Sequence, residues 1–197
     1  MLRASTTHVD LSLESDSADV LPGSAPCGRD VGAVHASHAD FVWATLQRLG
    51  VRPADLEDLF QEVFVVVHRR LHTFDGRATV ASWLFGICLK VAAAHRRKAH
   101  VRREQLVDSL PDEPSPLGGP EEEASLRDRR RQLREALDRL DLERRAVFVM
   151  FELEEMSCDE IASIVGVPVG TVHSRLFSAR KLFQKALRAV VEKEGHQ

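Results

Sequence analysis

The sequence predicts an all-α protein of two small helical domains joined by a flexible linker, the second containing a helix-turn-helix. Three observations carry this expectation. Only 6% of the 197 residues are aromatic and Tyr is absent, so the core must be largely aliphatic, a composition that disfavours a β-sandwich. Apolar residues recur at steps of three and four rather than alternating. The stretch Pro111 to Pro120 holds four prolines and two glycines, which separates two helical patterns.

Taken in order, residues 1–37 mix Ser, Asp, Gly and Pro without periodicity and read as an acidic, mobile tail. The first domain is expected over 38–104. Its first helix begins near His38, repeats Phe41, Val42, Thr45, Leu46 and Leu49, and stops at Gly50, ahead of Pro53. In the second helix Leu56, Leu59, Phe60, Val63, Phe64, Val67 and Leu71 share one face, leaving Glu57, Asp58, Gln61 and Glu62 outside. Phe74-Asp75-Gly76 breaks it. A third helix runs from Val80 to Arg103, apolar at Trp83, Leu84, Ile87 and Val91 and then strongly basic.

An acidic linker is expected over 105–126 and the second domain over 127–197. Leu126, Leu133, Leu137 and Leu140 form a helical stripe, and Asp141 is a good N-cap for a helix through Val147, Met150 and Phe151. Ser157-Cys158-Asp159-Glu160 has the form of a capping box, followed by a short helix with Ile161, Ala162 and Val165 inward. Gly166 supplies the positive φ of a tight turn. Pro168 restarts a helix that buries Val172, Leu176 and Phe183 and leaves Thr171, His173, Ser174, Arg175 and Ser178 outward. Two short helices around a glycine turn, the second polar and basic, constitute a helix-turn-helix.

A net charge of -3 speaks at first against nucleic acid. Its distribution reverses that reading. Val66 to Glu104 carries +7 and Pro168 to Gln197 carries +4, whereas Gln105 to Leu126 carries -6. The two basic blocks suit phosphates. No apolar run approaches the ~20 residues of a membrane span, and Met1 to Leu13 lacks the apolar core of a secretory signal, so a cytoplasmic protein without membrane insertion is expected. Cys27, Cys88 and Cys158 lie far apart with no C-x-x-C pair, which suits reduced thiols. Metal sites are not expected: Arg69 stands between His68 and His72, and Cys27, His35 and His38 lack a fourth ligand. No nucleophile triad, glycine-rich phosphate loop or carboxylate pair points to catalysis or a cofactor.

Three motifs resemble those of the extracytoplasmic-function sigma factors of bacterial RNA polymerase, over roughly His38 to Leu187. Asp55-Leu56-Glu57-Asp58-Leu59-Phe60-Gln61-Glu62-Val63-Phe64 is similar to the family's polymerase-binding helix. Phe74-Asp75 with Trp83-Leu84 and Ile87 is similar to the segment that leads into the helix opening the -10 element. Gly166-Val167-Pro168-Val169-Gly170-Thr171-Val172-His173-Ser174-Arg175-Leu176, after Glu160-Ile161-Ala162, is close to the -35-reading motif. Lys90 stands where an Asn is common, and Ala94 where an Asp often precedes the basic run.

The resemblance implies core polymerase and promoter DNA as partners, an anti-sigma factor that masks both domains, and initiation without catalysis by the chain itself. It assigns Asp55, Glu57, Asp58, Gln61 and Glu62 to polymerase. It assigns Phe74, Trp83, Lys90, His95, Arg96, Arg97, Lys98, Arg102 and Arg103 to the -10 element. Trp83 and Phe74 could each stack on an unpaired base or pack in the core. At the -35 element Arg175 and His173 would read bases, Thr171 and Ser174 would meet phosphate or base edges, and Arg180 and Lys181 would touch backbone, with Pro168, Gly170 and Ser178 framing them. Two rivals are a helix-turn-helix regulator that binds DNA without polymerase and a helical adaptor with no DNA role. The first has no use for the Asp55 to Phe64 helix, and the second would show no salt-steep DNA affinity.

Overall fold

The structure is a computed structural model that describes residues 30–103 and 122–194. Seven α-helices and one short 3-10 turn, with no strand, occur among those residues. The first three helices are α1 (Val31–Arg48), α2 (Pro53–Arg70) and α3 (Val80–Arg103), with the 3-10 turn Leu71–Thr73 closing α2. The others are α4 (Glu122–Leu137), α5 (Leu142–Glu152), α6 (Cys158–Val165) and α7 (Val169–Glu194).

Local chemistry sets the helix ends. The Asp30 side chain accepts from the Gly32 amide and starts α1, seven residues before the expected His38, and Val34 then joins the core face. The tail assigned to residues 1–37 therefore overlaps a helix, and its remainder lies outside the described residues. Pro53 sets the first turn of α2. Thr79 Oγ1 accepts from the Ser82 amide at 3.0 Å and starts α3 at Val80, as expected. The helix α4 begins at Glu122, inside the segment assigned to the linker, while 104–121 lie outside the described residues. Asp141 caps α5 by accepting from the Arg144 amide.

Val42, Leu46, Leu59, Val63, Val67, Leu84, Phe85 and Cys88 are buried where α1, α2 and α3 meet. The buried stripe of α3 is Leu84, Phe85, Ile87, Cys88, Val91 and Ala92, so Trp83 lies at its margin, half-buried, rather than in its centre. In the second bundle α7 packs on α4, α5 and α6. It buries Val172, Leu176 and Ala179 over Ala146, Val147, Met150 and Ile161, with Phe183 stacked on Phe148 at 4.6 Å between ring centres. The helix α6 also packs on α3, so one continuous buried cluster runs through both bundles.

Candidate functional site

The helix-turn-helix is held by short-range hydrogen bonds. Ser157 and Glu160 form the complete capping box: the Ser157 amide donates to Glu160 Oε2 at 2.9 Å, and the Glu160 amide donates to Ser157 Oγ at 3.3 Å. The amide and hydroxyl of Ser157 hold the Glu160 carboxyl below its ordinary range. Gly166 takes φ 72° and returns its amide to the Ala162 carbonyl at 2.9 Å, so the chain reverses within one residue. The Pro168 carbonyl then accepts from Thr171 at 2.8 Å, launching α7.

On the first turns of α7, His173 and Ser174 are exposed, and Thr171, Arg175 and Ser178 are half-buried. Arg175 is not free: its Nη2 meets Glu143 Oε2 at 2.5 Å, and only 18% of its side chain is exposed. Arg180 Nε pairs with Glu152 Oε1 at 2.6 Å and lies over the Phe151 ring. Lys181 lies 5.8 Å from the centre of the Phe177 ring, and Phe177 is 68% exposed. Phe177 escaped the sequence reading because an apolar residue between Leu176 and Ser178 reads as core. The two carboxylates of α5 thus tether two of the cations of α7.

In the first bundle Glu57, Asp58, Gln61 and Glu62 form an exposed acidic face on α2. Asp55 departs from them. It is half-buried and accepts from Arg52 Nε at 2.8 Å, with His95 Nε2 at 3.2 Å. Burial alone would raise the Asp55 carboxyl; the hydrogen bond and charge of Arg52, with those of His95, outweigh it and hold the group below the ordinary range. Two residues assigned to different partners are therefore joined to each other. Phe74 and Trp83 are likewise paired, ring centres 5.2 Å apart and tilted by 47°. Lys90, Arg97 and Lys98 are exposed, and Arg102 and Arg103 close α3.

Arg96 differs from its neighbours. Its Nη2 donates to the Leu49 carbonyl at 2.9 Å, and burial lowers its pKa against the opposing charges of Asp138 and Asp141. Beside it lies Arg145, of which 1% is exposed. The guanidinium of Arg145 reaches across the bundles to the carbonyls of Arg48 and Gln47, and within its own bundle it donates to Asp138 Oδ1 at 2.5 Å. Sequence reasoning missed Arg145 because the carbonyls it reaches lie 97 and 98 positions away, and nothing separates it locally from Arg144. No helix among the described residues is long and apolar enough to cross a membrane.

An exposed acidic helix face in one bundle and a helix-turn-helix in the other define a two-domain helical protein of the DNA-binding kind. Comparison with known proteins gives the family. Sigma-70 region 2 matches residues 34–102, and Sigma-70, region 4 matches residues 130–183. The ECF RNA polymerase sigma-E factor of Escherichia coli K12 is 30% identical over 159 residues, covering 76% of this chain and 83% of that one. The ECF RNA polymerase sigma factor SigE of Mycolicibacterium smegmatis is 34% identical over 147 residues, covering 73% of this chain and 56% of its own length, so the chain spans just over half of that relative. A solved structure of the sigma factor RpoE with the anti-sigma factor NepR from Bartonella quintana has the same fold, with a TM-score of 0.65 at 21% identity, over 82% of this chain and 98% of that one. The chain belongs to the extracytoplasmic-function sigma factors of the sigma-70 family.

Proposed function

We propose that this chain binds core RNA polymerase through the acidic face of α2 and directs it to promoters by reading a -35 duplex with α7 and a -10 element with α3. The observation that carries the reading is the coexistence, in one chain and in family order, of the α2 face Glu57, Asp58, Gln61 and Glu62 with the helix-turn-helix around Gly166. The acidic face suits a basic helical partner rather than DNA. In the major groove, α7 would present His173, Ser174 and Arg175 to base edges, with Thr171 near the phosphate at the helix N-terminus. Arg175 could take guanine O6 and N7 once freed from Glu143, and Phe177 is exposed enough to meet a thymine methyl.

At the -10 element, Lys90, Arg97 and Lys98 would meet phosphates while Phe74 and Trp83, already ring against ring, separate to receive an unpaired base. Arg96 and His95 are engaged within the fold and would act there mainly by holding α3 in place. The segment assignments 38–104 and 127–197 are proposed as the polymerase-binding and -35-binding domains. Chemistry would belong to the polymerase, and an anti-sigma partner is proposed on family membership. Such a factor would work in the cytoplasm, where the promoters are.

Run-off transcription with purified core polymerase tests the reading. A promoter-specific transcript from a pool of genomic fragments is expected only when this chain is added. If no fragment gives one, the initiation reading is wrong. Specific binding to a palindrome without polymerase would instead favour an ordinary regulator.

A further inference from the structure

Part of the surface of the first bundle is apolar and open. Trp43 of α1 meets Phe60 of α2 with ring centres 5.5 Å apart, and His35 meets Phe64 at 4.5 Å, so the two helices run antiparallel. Phe60 and Phe64 are themselves 5.0 Å apart. Between the beginning of α1 and the second half of α2 these rings leave a groove lined by Val31, His35, Phe60, Phe64, Val65 and His68. Val65 is 47% exposed and Trp43 38%, so the patch is open to solvent at both residues. Contiguous apolar surface of this kind marks a place of interaction, whereas a single scattered apolar side chain needs no explanation.

Three features select the occupant. The first is position: Val31 lines the groove, so residues 1–29 join the fold at its mouth. The second is pattern: in Val9-Asp10-Leu11-Ser12-Leu13-Glu14 each apolar residue is followed by an acid or a hydroxyl, so one apolar edge and one acidic edge are available to a partner surface. The third is charge. Asp10, Glu14, Asp16 and Asp19 fall within ten residues that contain no Lys or Arg, while α2 ends in exposed His68, Arg69 and Arg70. Because His35 faces Phe64, the basic end of α2 and the point where the chain enters α1 lie at the same end of the groove. Tethering completes the case. Leu13 is 17 steps from Asp30, a root-mean-square reach of ~23 Å, against ~12 Å of groove from Phe60 to His68. A tether of that length holds its end at an effective concentration on the order of millimolar, so a weak contact suffices to fill the groove.

We propose that the chain's own residues 9–14 seat in the groove between α1 and α2, with Val9, Leu11 and Leu13 on Phe60, Phe64 and Val65 and the acids toward His68 and Arg69, and that this seat competes with polymerase. Gln61 lines the groove and also belongs to the α2 face assigned to polymerase, so one surface cannot serve both at once. The competition rests on the sigma-factor reading; the seating rests on the groove and the segment alone.

Photo-crosslinking in the full chain tests the seat, with p-benzoylphenylalanine placed at Val65 and, for comparison, at Ser163, which is exposed on α6 of the other bundle. Trypsin cuts after Arg3 and Arg29, so the segment is recovered as one peptide of residues 4–29. A crosslink from position 65 to that peptide, at residues 9–14 and with a yield independent of protein concentration, is expected. Leu11→Asp with Leu13→Asp is expected to lower the yield at least fivefold, and Ser15→Asp with Ser17→Asp, which adds the same charge but keeps the leucines, to leave it unchanged. No crosslink into residues 4–29, an equal yield from position 163, or an equal loss from both double variants overturns the seating. A dimer-sized product that grows with concentration overturns it as well, by giving the groove to a second copy. In a pull-down titration with core polymerase, Leu11→Asp with Leu13→Asp is expected to bind about threefold to tenfold more tightly than the parent, the inverse of the fraction of parent chains whose seat is empty. Equal affinity overturns the competition. A crosslink at the seat in a chain that binds no polymerase leaves the seating intact and faults the sigma-factor reading of α2.

Discussion

At the scale of single residues, Arg175 has the most to reveal, because its role depends on a bond it must give up. In the free chain it is held by Glu143, and on a promoter the same guanidinium would turn to a base pair. Arg175→Ala is expected to relax preference at one position of the -35 element, a loss of about 1–3 kcal/mol in discrimination, as read by competition among promoter variants with assembled holoenzyme. Equal weakening on every sequence would make Arg175 a phosphate contact instead. The residue's candidacy was legible from spacing, since it lies outward of Val172 and Leu176. Its tether was not, because Glu143 lies 32 positions earlier and only the packing of α5 on α7 brings the two together. Asp55 and His95 repeat the lesson: both were legible as polar surface residues, but their pairing across 40 positions was not. Cys88 was read only as a reduced thiol, whereas burial on the inner face of α3 pushes its pKa up to about 12.

Among the helices and turns, the features read correctly are those decided within a few residues. The capping box at Ser157, the stop at Gly50, the reversal at Gly166 and the cap at Asp141 each depend on neighbours in sequence. The start of α1 was read late because Gly32, Ala33 and Ala36 dilute the apolar signal around Val31 and Val34, while Asp30 alone caps the helix. Between α5 and α6 one residue departs from local rules: Glu155 sits at φ 54°, a conformation in which a side chain crowds its own carbonyl. Glu155→Gly is expected to stabilise the second bundle by up to about 1 kcal/mol, seen as a higher midpoint in denaturant with unchanged slope. A lower midpoint would show that contacts of Glu155 outweigh its backbone cost.

For the molecule as a whole, the helical class and the two-part order were legible, and the closure of the parts on each other was not. A buried cation answering helix-end carbonyls leaves no periodic trace in sequence. The connection between the bundles sets how far apart they can work. Nineteen peptide steps separate Arg103 from Glu122, with a contour of at most ~65 Å. Two domains of ~15–20 Å half-width centred ~80 Å apart leave roughly 40–50 Å to bridge. Removing about half of residues 104–121 cuts the contour to ~35 Å. Such a deletion is expected to retain polymerase binding in pull-down assays and to lose run-off transcription at promoters that need both elements. Full transcription from the shortened chain would mean that the elements are not read together.

Gly50 gives the packing of the two bundles one last consequence. Because guanidiniums from α3 and α5 share the space its missing side chain leaves, a Cβ at position 50 would lie 2.5 Å from both Arg96 and Arg145 and push them off the carbonyls they cover. Gly50→Ala is therefore expected to lower the midpoint in denaturant, whereas the same change at Gly170, which has nothing within 4 Å, is expected to leave it nearly unchanged.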